Sequence, residues 1–302
     1  MKIIIIILLT VLYGADESCA QGHISYETFT SSRLTDELGR RSGSGSMSRV
    51  EAGYNIPLSR RQNESGQLTA WSASLYGAYA TLDNRGDAAA MSPDDILNCG
   101  LNITHIRPVS RRWSVMATVG GGIYAPSAGV TAKSVLVNGG AVFVRRMNRN
   151  LDLGFGGGVT NSYGIPMAMP MIYLSWHKPG RYELTVDMMS GLKVSARTWV
   201  GRYLSIELAA LDMDGMAAVV DDGNGKQQIY SLMMMKSYVS PSYHFGKKVS
   251  LYCTVGGNWI RGMKLTERSM KGFADSFKDN SDNPDPYFRP SLRLSAGMRF
   301  AF

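Results

Sequence analysis

The reading of this chain turns on its last stretch, Pro290-Ser291-Leu292-Arg293-Leu294-Ser295-Ala296-Gly297-Met298-Arg299-Phe300-Ala301-Phe302. Leu292, Leu294, Ala296, Met298, Phe300 and Phe302 alternate with Ser291, Arg293, Ser295, Gly297 and Arg299, the period of two that puts one set on each face of an extended strand. An aromatic strand left as a sheet edge would recruit other chains. A sheet that rolls up has no edge, and closure also satisfies the backbone in hydrocarbon. The stretch therefore predicts an all-β fold: a single closed antiparallel transmembrane β-barrel.

Working outward, fourteen segments read as strands by alternation or by β-branched and aromatic content, with twelve as the alternative. They cover 24–30, 47–57, 67–81, 96–106, 113–124, 134–145, 151–161, 170–177, 181–188, 192–200, 204–211, 229–245, 249–260 and 290–302. Trp71 and Tyr79 share an outward face and stand roughly 20 Å apart in height on a tilted strand, near the spacing of two aromatic girdles. Links of 31–46, 82–95, 125–133, 162–169, 212–228 and 261–289 are long, while those after the even-numbered strands are short. Short turns carry basic residues such as Arg60, Arg61, Arg111 and Arg112; long links carry acids such as Asp94, Asp95, Asp221 and Asp222.

The alternating terminal strand ending in Phe302 resembles that of bacterial outer-membrane β-barrels, and the chain is closest in style to barrel families of unknown function. The resemblance implies that Phe300 and Phe302 form the signal read by the barrel-assembly machinery. It also implies periplasmic termini, long links on the outer side, and contact with outer-membrane lipid and lipopolysaccharide.

Lys2, the apolar run Ile3 to Leu12 and Ser18-Cys19-Ala20 have the form of a leader cleaved after residue 20, leaving 21–302 as the barrel. Asp16 and Glu17 fit poorly with lipidation at Cys19. Without the leader, 31 basic and 22 acidic residues give a net charge of +9. The basic residues sit in scattered turns rather than on one face, which argues against nucleic acid. Cys99 and Cys253 fall on distant strands and are expected as free thiols.

Short hairpins fix register, because inward residues must face inward ones. The Lys178-Pro179-Gly180 turn predicts Ser175 opposite Glu183. The next two turns predict Asp187 opposite Lys193, Glu183 opposite Arg197, and Arg197 opposite Glu207. The expected lumen-lining charges are Arg49, Glu51, Asp152, Glu183, Asp187, Lys193, Arg197, Glu207, Lys236, Arg293 and Arg299, a near-balanced set that disfavours strong ion selectivity. Gly120, Gly122, Gly140, Gly154, Gly156 and Gly158 leave the inward face bare, with room for a ligand or for the 261–289 link folded inside as a plug.

No cofactor or metal is expected. The acid-rich Asp212-Met213-Asp214-Gly215 stretch lacks the closing Glu of a calcium loop and reads as a solvated turn. The strand map brings no Ser, His and acid together, so catalysis is not expected. The functional expectation is a passive channel or binding pore for small solutes with a mixed-charge lumen. The alternative is a closed structural or surface-interaction barrel; the oligomeric state is left open.

Overall fold

The computed structural model describes residues 21–36, 39–62, 68–161, 167–188, 191–222, 226–246, 248–269, 271–272 and 285–301. Residues 1–20, the expected leader, and Phe302 lie outside the described residues. The strands are β1 (Gln21–Thr35), β2 (Arg41–Gln62), β3 (Leu68–Gly86), β4 (Asp95–Pro108), β5 (Trp113–Ala125), β6 (Val135–Arg146), β7 (Leu151–Thr160), β8 (Met167–Lys178), β9 (Tyr182–Asp187), β10 (Lys193–Val200), β11 (Leu204–Asp221), β12 (Gln227–Phe245), β13 (Val249–Glu267), β14 (Tyr287–Phe288) and β15 (Ser291–Ala301). One helical turn, Asp87–Ala90, follows β3.

Each long strand pairs antiparallel with its sequence neighbours, and β15 pairs with both β13 and β1, which closes the barrel. The two residues of β14 occupy the same slot, Phe288 standing opposite both Leu34 and Arg261. They extend the line of β15 beyond Arg289 and Pro290, where proline supplies no ladder donor. The barrel thus has fourteen strands plus this short extension, and the twelve-strand alternative is not realised.

The alternation of the terminal strand has its expected consequence. Leu292 and Leu294 are exposed on the outside beside Tyr26, Leu251 and Val255, while Arg293 and Ser295 are buried inside. The same holds for Leu75, Leu101, Val119, Phe155, Ile172 and Leu208, all exposed. A continuous apolar exterior on an edgeless sheet is what a bilayer stabilises and water does not. Cys99 and Cys253 are free.

The link lengths need correction. Most of 31–46 and 212–228 and parts of 82–95 and 261–289 are strand: β1 and β2 approach to within 36–40, β3 runs to Gly86, β11 to Asp221 and β13 to Glu267. These extensions lack the outward apolar face that marks a membrane-facing strand, so alternation did not reveal them. The wall is therefore lopsided, with 22 residues in β2 and 19 in β12 and β13 against 6 in β9 and 8 in β10.

The tall side folds inward at the end away from Gln21 and Ala301. A bulge between Ala209 and Asp212 shifts the β11 register against β12. Beyond it β11 leaves β10 and packs on β4 and β5 across the barrel, Asn98 Nδ2 donating to the Ala217 carbonyl at 3.0 Å. Val219 and Ile229 are buried although they share a face with exposed Met233. The inward face of this leaf, Met216, Ala218, Tyr230, Leu232 and Met234, meets Phe29, Leu34, Met47, Leu82, Ala88, Ile96, Met263 and Phe288 in an apolar core inside the barrel. Residues 270 and 273–284 of the expected plug lie outside the described residues; among the described residues the core at this end comes from the strands and the Asp87–Ala90 turn.

Candidate functional site

Below the apolar core the inward face turns polar, and the strands bring charges together in pairs and triplets. Arg49, from β2, is buried and donates through Nη2 to Asp214 Oδ2 at 2.6 Å, and it is ion-paired with Glu27 Oε1 at 2.5 Å and Glu51 Oε2 at 3.4 Å. Lys236, from β12, is buried too and reaches Asp214 at 2.8 Å and Asp212 at 3.9 Å. Arg293 binds Glu27 at 2.7 Å and lies over the Tyr238 ring at 4.6 Å. Tyr238 donates its hydroxyl to Asp212 at 2.8 Å. On the neighbouring wall Glu207 accepts from Arg197 at 2.6 Å and is ion-paired with Lys193 at 2.6 Å. Arg299 lies over the Tyr252 ring at 4.5 Å, and His23 stands 3.2 Å from Glu51.

Most of these groups border one cavity of about 480 Å³. Charges held this far from bulk water persist only when each finds a counter-charge, because desolvation of an unpaired ion costs several kcal/mol. The pairing leaves the cavity mixed in sign, with donors and acceptors on facing walls.

Three of the four registers read from hairpins occur: Asp187 opposite Lys193, Glu183 opposite Arg197, and Arg197 opposite Glu207. The fourth is wrong. Ser175 faces Asp187, and the β8–β9 ladder stops at Lys178 opposite Leu184. Pro179 has no N–H to continue the ladder, so the hairpin opens into a wider loop and Tyr182 and Glu183 pair with β10 alone. Arg197 stands opposite Glu183 but turns its guanidinium to Glu207. Asp152 lies apart from the cluster, 3.3 Å from Arg146 near the turn.

Sequence reasoning missed Glu27, Asp212, Asp214 and Arg261. The solvated-turn reading of Asp212-Met213-Asp214-Gly215 is overturned: these residues belong to β11, and both acids point inward to ion pairs. Glu27 sits on the strand with the weakest pattern. Arg261 was placed in a loop, but β13 buries it, donating to the Gly45 carbonyl at 2.8 Å with Phe288 3.8 Å from its guanidinium carbon. The alternation of Asp212 and Asp214 with apolar neighbours was the available signal.

The glycine hollow is partly occupied. A Cβ on Gly140 or Gly158 would meet the Met171 sulfur, so the missing side chains there seat a neighbour from β8. Phe300, expected with Phe302 to form an assembly signal, packs its ring against Gly22 and stands 6.1 Å from Tyr54.

One juxtaposition departs from the strand map. Ser205 Oγ and His244 Nε2 are 2.8 Å apart. Ser205 is buried, and among the described residues no ion pair holds His244, so the pair lacks the orienting acid and the open nucleophile of a triad. Among the described residues no cluster of His, Cys, Asp or Glu could hold a metal.

A closed fourteen-strand sheet with a lipid-facing exterior and a charged interior defines an outer-membrane β-barrel. The chain belongs to the family described as Domain of unknown function (DUF6268), whose model matches residues 16–301. No curated protein matches it in sequence. Among solved structures it is similar to the COG4313 outer membrane channel from Pseudomonas putida F1, at 12% identity and TM-score 0.44 over 96% of this chain and 97% of that one. It is also similar to a BenF-like porin from Pseudomonas fluorescens Pf-5, at 11% identity and TM-score 0.31 over 95% and 100%. The outer membrane protease OmpT from Escherichia coli aligns at 10% identity and TM-score 0.28 over 96% and 99%.

Proposed function

We propose that the protein is a binding pore for small polar solutes carrying both signs of charge. The observation that supports this most is the cavity bordered by Arg49, Lys193, Lys236 and Arg293 on one side of the charge balance and Glu27, Glu51, Asp212 and Asp214 on the other. A zwitterion entering it exchanges ion pairs for equivalent ones, whereas a single ion leaves a group unmatched. Access runs from the end that carries Gln21 and Ala301, which we take to be periplasmic, and the apolar leaf bars the other end. Arg268 latches the leaf, donating to the carbonyls of Lys133 at 2.7 Å and Asn161 at 3.2 Å and to Gln227 Oε1 at 2.9 Å.

Planar-bilayer recording tests the reading. Wild-type protein is expected to give rare, brief current steps, and Arg268→Ala longer ones that zwitterionic amino acids block more strongly than sodium chloride changes them. A closed structural barrel, favoured by the strand-built occlusion, predicts silence from both proteins.

A further inference from the structure

The short strands β9 and β10 leave a gap in the wall. Among the described residues, β8 from Met167 to Tyr173 pairs with β7 alone, and β11 from Asp214 to Asp221 pairs with β12 alone. Their last bonds to the hairpin between them are Met188 N to Leu174 O at 3.0 Å and Met213 N to Leu192 O at 2.9 Å. β9 has 6 residues, so at about 3.3 Å each and a tilt of about 40° it stands roughly 15 Å tall, against an apolar band of about 25 Å. Its outward residues Tyr182, Leu184 and Val186 are the kind lipid covers. The wall thus ends within the height of the membrane, and the inward turn of β11 keeps the neighbouring strand from filling the notch.

Behind the notch lies a cavity of about 740 Å³. Its lining joins lumen-facing Met169, Met171 and Tyr173 to membrane-facing Val159 and Ile172, so it passes around the free edge of β8 from one face of the wall to the other. Asn102, Thr118 and Asn138, on the successive strands β4, β5 and β6, provide hydrogen-bonding groups. Pro170, in the free strand, is the residue an unpaired edge tolerates. Methionine lines a site for apolar molecules of varied shape, because its side chain adapts and is polarisable.

We propose that this notch is a lateral portal through which uncharged, mainly apolar molecules of drug-like size exchange between the bilayer and the barrel interior. The occupant arrives from lipid because the opening faces hydrocarbon. It rests in the methionine-lined cavity with any hydroxyl or carbonyl toward Asn102 and Asn138. This site is separate from the charged cavity, which it meets at Asp187.

The test uses full-length protein in phosphatidylcholine vesicles, with Cys99→Ser and Cys253→Ser and one nitroxide-labelled cysteine at a time. Positions Met169 and Met171 probe the cavity, Ile172 reports the lipid face and Ser25 the charged lumen; retained β-sheet circular dichroism confirms folding of each. Labels at 169 and 171 are expected to collide with oxygen more than with nickel-EDDA, as at 172, and to lose mobility when N-phenyl-1-naphthylamine is added. Nickel-dominated collisions at both positions, as at Ser25, overturn the portal. Oxygen-dominated collisions with unchanged mobility overturn the assigned class of occupant.

Discussion

Arg49 shows how one residue sets the chemistry of the interior. Its guanidinium lies among Glu27, Asp214 and Glu51 with almost no access to solvent. Truncating one partner of a buried pair leaves the others uncompensated, at about 3–5 kcal/mol. Arg49→Met is therefore expected to lower the urea midpoint of the refolded protein strongly, and Arg49→Met with Glu51→Gln to recover part of the loss, because Glu27 keeps Arg293 and Asp214 keeps Lys236. Failure of the double variant to recover would mean that Arg49 acts through packing instead. Glu207, between Lys193 and Arg197, offers the complementary check. Exchanging the charges of Arg197 and Glu207 should restore only part of the stability that either single reversal removes, because Glu207→Arg sets a second cation beside Lys193, read from the same unfolding curves.

At the scale of elements, the β11–β13 leaf and the β9–β10 hairpin are opposites. The leaf buries Leu232 and Met234 in the core that closes the barrel. Leu232→Ala and Met234→Ala should each cost about 2–5 kcal/mol through lost transfer energy and a residual cavity. Both are also expected to raise the frequency of current steps, because the core is the barrier. The hairpin has few ladder bonds and a free strand on either side. In hydrogen exchange followed by mass spectrometry, amides of Lys193–Val200 should exchange well before those of Val249–Glu267. Equal protection would show that the wall has no weak sector and would count against the portal.

For the whole molecule, lopsidedness is the property that matters. A barrel of even height with the same interior would be a plain tube; here the tall side folds over the lumen and the short side leaves a notch facing lipid. The two features arise together, since strands freed from β10 above the Ala209–Asp212 bulge are free to lean inward. Extending β9 and β10 by two alternating Thr-Val pairs on each strand is expected to reduce uptake of N-phenyl-1-naphthylamine by protein-containing vesicles. It should leave the amino-acid block of Arg268→Ala currents unchanged, because the charged cavity lies below the insertion.

Much of this architecture was legible in the residues. Alternation along Pro290 to Phe302 and thirteen like segments specified a closed antiparallel barrel, because a period of two with one apolar face has few other homes. Short turns specified most of the registers around Arg197, where opposite charges and pairing parity agree. What pattern could not reach depended on contacts between distant strands. Asp212 and Asp214 read as loop because no local feature reveals that Lys236 stands beside them on β12 and Arg49 reaches them from β2. The inward fold of β11 depends on Asn98 and on an apolar face presented by β1 to β4, residues far away in the chain. Local periodicity records which face of a strand is greasy; whether that strand stands in the wall or leans across the interior is decided only by what it meets there.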